Sequence, residues 1–185
     1  MIDLEQTTIQ LETAKAFLKN QVKEGKRILA VITKKIASQT AKTMCQNLGL
    51  SYVTAKWPPG LLTNFDNIFK NVKKMKTLGE AKTTGEWEKF VKHEQVKLNK
   101  QLLRLNVLYG GLAQLDRRPD LIITVDTKTE KNALKEAGEI GIPVVAILDT
   151  NSNPELVQYP IVANDDSTVT VEYLLKDLFS VFPKK

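Results

Sequence analysis

Two short segments of near-continuous apolar character, Leu121 to Val125 and Val144 to Leu148, each run into an acidic residue, Asp126 and Asp149. Runs without polar alternation mark strands buried on both faces of a parallel sheet. The charged stretch between them has helical spacing, and Thr127 with Glu130 reads as a capping box that starts a helix directly after Asp126. This is a βαβ unit. Upstream, the pattern predicts a strand from Arg27 to Thr33, a helix from Ile36 to Leu48 ended by Gly49, and a short strand at Tyr52 and Val53. Before these, Leu4, Ile9, Leu11, Ala14, Phe17, Leu18 and Val22 recur at helical spacing, with Asp3 as cap and Gly25 as stop. The segment from Thr168 to Val181 predicts a last amphipathic helix, capped by Asp165 or Asp166.

Between Asn67 and Val107 the period changes and no strand signal remains. Ile68, Val72, Met75 and Leu78 mark one apolar stripe, and Phe90, Val91, Leu98, Leu102 and Leu105 mark another, on either side of a break at Thr83-Thr84-Gly85. Two helices zipped along such stripes make a projecting αα-hairpin. The expected organisation is therefore one α/β domain over 1–185, with residues 67–107 as an inserted helical hairpin.

Charge sharpens that picture. The net charge is +6, but residues 1–104 hold 19 Lys and Arg against 9 Asp and Glu, whereas residues 105–185 hold 8 against 12. Lys70, Lys73, Lys74, Lys89 and Lys92 are among ten basic residues on the hairpin, opposed there by Glu80, Glu86, Glu88 and Glu94. A one-sign excess on a projecting element suits a polyanion, although charged helix faces also serve simply as solvated surface. The lone cysteine, Cys45, sits among apolar helical neighbours as an inert thiol, and the lone histidine, His93, has no partner for a zinc site. No apolar run approaches the roughly 18 residues a membrane span requires, and the acidic amino terminus does not read as a targeting segment. A soluble chain without membrane, metal or cofactor is expected.

A parallel α/β sheet binds ligands beyond the carboxyl ends of its strands, where Asp126, Asp149, Thr150 and Asn151 would stand as a polar crest. Neither a Gly-x-Gly-x-x-Gly or Walker loop nor a nucleophile elbow supports catalysis there, and no histidine lies near those carboxylates in sequence. The simpler roles are structural: Asp126 favours the start of the following helix, and Asp149 to Pro154 has the composition of a turn that bonds its own backbone. Lys34 and Lys35, between a strand and a helix, suit phosphate oxygens. Trp57, beside Lys56 in a Pro-Pro-Gly loop, could pack beneath the sheet or stack on a base.

Pro119, the strand ending at Asp126, Glu130, Leu134, Glu136, Gly141-Ile142-Pro143, Asp149-Thr150-Asn151 and Asn164-Asp165-Asp166 together resemble the ribosomal protein S-two family of the small subunit. So do the strand ending Thr33-Lys34-Lys35 and the stretch from Lys56 and Trp57 through Thr63-Asn64-Phe65, so that the likeness covers nearly the whole chain. The resemblance implies a flavodoxin-like three-layer α/β/α core with five parallel strands in order 2-1-3-4-5. It also implies a noncatalytic constituent of the small subunit that binds ribosomal RNA and neighbouring ribosomal proteins, with ribosomal protein S-one docking on it in many bacteria. Such a protein works in translation, in a bacterial cytoplasm or on an organellar ribosome. The candidate RNA-facing residues are Lys34, Lys35, Lys56, Trp57, Thr63, Asn64, Lys70, Lys73, Lys74, Lys89 and Lys92. Three features depart from the family pattern: this sequence opens inside the helix that follows the family's Gly-His segment, Pro58-Pro59 follows Trp57, and Arg117-Arg118 precedes Pro119. A nucleotide- or phosphate-ligand-binding enzyme on the same fold is the alternative, and a free regulatory binding module, like the eukaryotic relatives that resemble a laminin receptor, is a third reading.

Overall fold

The computed structural model describes residues 2–183. Five strands, β1 (Ile28–Val31), β2 (Ser51–Val53), β3 (Leu121–Val125), β4 (Val144–Leu148) and β5 (Tyr159–Val162), pair in parallel in the order 2-1-3-4-5. Ala30 lies level with Tyr52 on one side and Ile123 on the other, and Ile147 lies between Val125 and Ile161. Parallel neighbours need long crossovers. Here α2 (Lys35–Leu48) joins β1 to β2, α3 (Phe65–Thr83) and α4 (Lys92–Tyr109) lie between β2 and β3, and α5 (Lys131–Ile140) joins β3 to β4, while α1 (Leu4–Lys23) precedes β1 and α6 (Thr168–Phe179) follows β5.

Every residue of β1, β3 and β4 is buried, which accounts for the near-continuous apolar runs. Alternate side chains serve opposite layers. Ile28, Ala30, Ile123, Val125, Val145, Ile147 and Ile161 pack with α1, α2 and α6, while Leu29, Val31, Ile122, Val144, Ala146 and Leu148 pack with α5, the Trp57 loop and the base of the hairpin. Each fully buried Leu, Ile or Val contributes about 1.5–3 kcal/mol relative to exposure.

Both sheet edges are closed. At β5, Gln10 Oε1 accepts from the Val162 N–H at 2.8 Å and Thr7 Oγ1 donates to the Val162 carbonyl at 2.6 Å, so α1 satisfies backbone groups an open edge would offer to another strand. At β2 the turn after α4 approaches so closely that a Cβ on Gly111 would lie 2.1 Å from the Tyr52 carbonyl oxygen.

Two helix starts differ from the sequence expectation. The capping box at Thr127 and Glu130 is not made, and α5 begins at Lys131. Asp126 adopts φ 64°, its carboxylate accepts from the Lys128 and Thr129 N–H groups, and the Glu130 carboxylate crosses to the Thr33 N–H instead of reaching back. The cap of α6 is Ser167, whose Oγ accepts from the Thr170 N–H; Asp165 is drawn away by an ion pair and Asp166 is held in the preceding turn by Asn164. Asp3 does cap α1, and Gly49 closes α2 in the left-handed conformation.

Helices α3 and α4 fold back antiparallel between β2 and β3, with Asn71 bonded to the Tyr109 hydroxyl and Lys82 to Asn99. Val72, Met75 and Leu102 are buried between them, as the stripes predict. Phe90 and Val91 are exposed, because they fall in the extended link before α4 and not on its inner face. Trp87 takes that place at the tip, buried beneath the Lys82 ammonium, which lies 5.6 Å from its ring.

Replacing Gly111 with Ala should lower stability by about 1–3 kcal/mol, since backbone stands where the methyl would go and cannot rotate aside. Urea unfolding of the two chains checks this, with unchanged stability as the contrary result.

Candidate nucleic-acid interface

The carboxyl ends of the strands carry a network centred on Lys34. Its ammonium lies 2.7 Å from Asp165 Oδ1, 2.7 Å from Asp166 Oδ1 and 3.6 Å from Asp126 Oδ2. Burial works against the Lys34 charge, but the bonds to Asp165 and Asp166 prevail and raise its pKa, so the lysine stays charged. Burial also works against the Asp126 carboxylate, yet the bonds from Thr129 and Lys128 hold it below its ordinary value. Asp165, 3% exposed, is pushed upward by burial and by its acidic neighbours, against the pull of Lys34. Carboxylate oxygens of Asp149, Asp165 and Asp166 lie within 4.8 Å of one another, and the cation beside them is the chain's own lysine.

The loop beyond β2 is organised by one side chain. Glu136 Oε1 accepts from the Trp57 indole N–H at 2.9 Å and the Gly60 N–H at 2.8 Å; its Oε2 accepts from the N–H groups of Leu62 and Thr63 and from the Thr63 hydroxyl. Of the two roles open to Trp57, the structure takes packing: the ring is 6% exposed and belongs to the core beneath the sheet. It offers no open face to a base. The Thr63 hydroxyl and N–H are likewise turned to Glu136, while the preceding Lys56 is exposed.

The remaining candidates lie on the outside. Lys35 is exposed at the start of α2, Asn64 at the start of α3, and Lys70, Lys73, Lys74, Lys89 and Lys92 along the hairpin. Lys70 donates to Asn67, and Lys73 rests 5.6 Å from the centre of the Phe69 ring, so both stems are steadied while the charges stay in solvent. At the crest, Thr150 donates its N–H and hydroxyl to Asp149, and Asn153 accepts from the Glu155 N–H, the self-bonded turn its composition predicts. Asn151 is exposed beside it. The candidates thus form a crest group bonded largely within the chain and an exposed, mostly basic group on the hairpin and neighbouring loops.

The model of the family Ribosomal protein S2 matches residues 1–182. The chain belongs to the ribosomal protein S2 family. Its relatives include proteins named Small ribosomal subunit protein uS2. That of Dictyoglomus thermophilum is 42% identical over 174 residues, covering 94% of this chain and 71% of the relative. Those of Coprothermobacter proteolyticus and Parabacteroides distasonis are 41% and 39% identical, and the matched regions cover 65% and 63% of their lengths.

Within this S2-family chain, sequence reasoning gave Glu136 no role of its own and placed Glu130 in a local cap. The missed signal was partner supply: a helix-face glutamate opposite a loop of unpaired N–H groups can close that loop, but only the tertiary fold brings the two together. Burial opposes the Glu136 charge, but the bonds from Trp57, Gly60, Leu62 and Thr63 outweigh it and lower its pKa below the ordinary 4.5. A depressed carboxylate contributes stability that is complete above its unfolded value and lost as pH falls through the folded one. Glu136→Ala should therefore cost on the order of 3 kcal/mol near neutrality and redden Trp57 fluorescence, and the gap from the parent should shrink below pH 4.5. Denaturation across pH measures both, and a gap that widens in acid would contradict this account.

Proposed function

We propose that the chain is a structural, noncatalytic constituent of the small ribosomal subunit, holding ribosomal RNA and neighbouring ribosomal proteins during translation. Membership of the S2 family carries this reading, and the exposed lysines of the hairpin supply the matching physics. The RNA-facing set is Lys35, Lys56, Asn64, Lys70, Lys73, Lys74, Lys89 and Lys92. Lys34, Trp57 and Thr63 act from behind it, fixing the loops that present those groups. The chain works as one domain, with residues 67–107 as a docking arm stabilised by the hairpin's own apolar seam. The bacterial relatives favour a bacterial-type ribosome, and no helix among the described residues is long and apolar enough to cross a membrane.

An electrostatic interface of this kind has a defined salt response. Log affinity for structured RNA should fall with log salt at a slope of roughly −0.7 to −0.9 per phosphate contact. Replacing Lys73, Lys74, Lys89 and Lys92 together with Ala should flatten that slope by about 3–4 units and reduce the protein found with small subunits in sucrose gradients. A slope and a sedimentation profile unchanged by the fourfold replacement would show those lysines to be only solvated, and absence of the parent chain from small-subunit fractions would defeat the ribosomal reading itself.

A further inference from the structure

A crevice of about 200 Å³ opens between the carboxyl ends of β1 and β3 and the Trp57 loop, lined by Thr33, Lys56, Trp57, Pro59, Glu130 and Asn132 among others. This is where the strand order reverses, with β2 reached on one side of β1 and β3 on the other. Its inner wall includes Glu130, 1% exposed. One Glu130 oxygen accepts from the Thr33 N–H at 2.6 Å, whereas Oε2 is buried without a partner. No basic side chain pairs with it among the described residues, and Lys34, the nearest lysine in sequence to Thr33, is engaged by Asp126, Asp165 and Asp166. A buried carboxylate oxygen left in this state wants a hydrogen-bond donor, and leaving it without one costs more than a typical bond gains.

We propose that this crevice takes one ribose of an RNA strand, with the Glu130 carboxylate turning from its present closed position so that Oε2 accepts from the 2′-hydroxyl, and with the phosphate meeting the Lys56 ammonium at the mouth. Three observations set the ligand class. The unpaired group is an acceptor, so the ligand must bring a donor, and among nucleic-acid groups the 2′-hydroxyl is the one that separates RNA from DNA. The exposed Lys56 charge calls for an anion next to that donor. The volume lies below the roughly 300–1,000 Å³ of pockets that enclose whole small ligands, so a sugar enters while base and phosphates remain outside, as they would on a polymer. The inference rests on the RNA-binding role proposed above and assigns to one site the discrimination that hairpin lysines, as point charges, do not supply.

The test uses the full chain with a short single-stranded RNA of mixed sequence and DNA of the same sequence carrying uracil. RNA should bind about tenfold more tightly, the worth of one hydrogen bond to a charged group. RNA, and not DNA, should move the Trp57 indole N–H resonance, because that side chain borders the crevice. Glu130→Gln keeps an acceptor for Thr33 but removes the anionic oxygen, and should bring the preference to within about twofold. Lys56→Ala should weaken RNA and DNA alike and leave their ratio unchanged. The free ribonucleoside monophosphates form a separate arm, and binding as tight as that of the RNA would make the ligand a free nucleotide and overturn the polymer assignment. Equal affinity for RNA and DNA, a preference untouched by Glu130→Gln, or an unmoved Trp57 resonance would each overturn the proposal. Should Glu130→Gln not fold, the Trp57 response of the parent chain decides. Small-subunit sedimentation of the parent is measured in parallel, so failure at this crevice stays distinct from failure of the ribosomal reading.

Discussion

A parallel sheet whose central strands are buried on both faces cannot leave either face in water, and this chain meets that constraint by placing helices on two sides. Leu29 and Val31 look one way while Ile28 and Ala30 look the other, so α1, α2 and α6 close one layer and α5 with the Trp57 loop closes the opposite one. The consequence is topological. With both faces occupied, polar chemistry is confined to strand ends and to whatever projects from the sandwich. The crest at Lys34 and the hairpin of α3 and α4 are those two places.

Confinement turns most of these carboxylates inward. They are engaged by internal donors, Asp126 by Lys128 and Thr129, Asp165 and Asp166 by Lys34, and Glu136 by the backbone of the Trp57 loop, with one Glu130 oxygen as the exception. The paired carboxylates rigidify loops, and a rigid loop edge holds exposed groups such as Lys56 and Asn64 at fixed positions.

How much of this was legible in the sequence follows from the range of each interaction. The strands at β1, β3 and β4, the helices of the core and the break at Thr83 to Gly85 depend on patterns within a few residues, and they appear where periodicity puts them. The two misassigned caps fail for the opposite reason. Thr127 with Glu130, and Asp165 or Asp166 before α6, are chemically suited to local capping, but Thr33 and Lys34, more than ninety positions away in sequence, offer the carboxylates of Glu130 and Asp165 stronger or more buried partners. Trp57 shows the same limit. Its neighbours Lys56 and Pro58-Pro59 allow either a stacking platform or a packed ring, and the choice is made by Glu136, which no local pattern brings to the indole.

The charge asymmetry gains meaning once the network is in view. Much of the acidic excess of the later half sits in the crest and in pairs such as Asp116 with Arg27, where it is already matched by a partner. The basic excess of the earlier half lies mainly on hairpin positions that make no ion pair among the described residues; there Lys70 and Lys82 bond neighbouring amides and Lys73 rests on an aromatic ring. A matched charge has little field left to offer a partner, whereas an unmatched cluster within one Debye length acts together. The potential felt by an approaching polyanion is therefore steeper than the net charge of +6 suggests, and its direction is set by the hairpin. The sandwich fixes where the hairpin emerges, and in the RNA-binding role proposed above the hairpin would set which way the molecule turns toward phosphate.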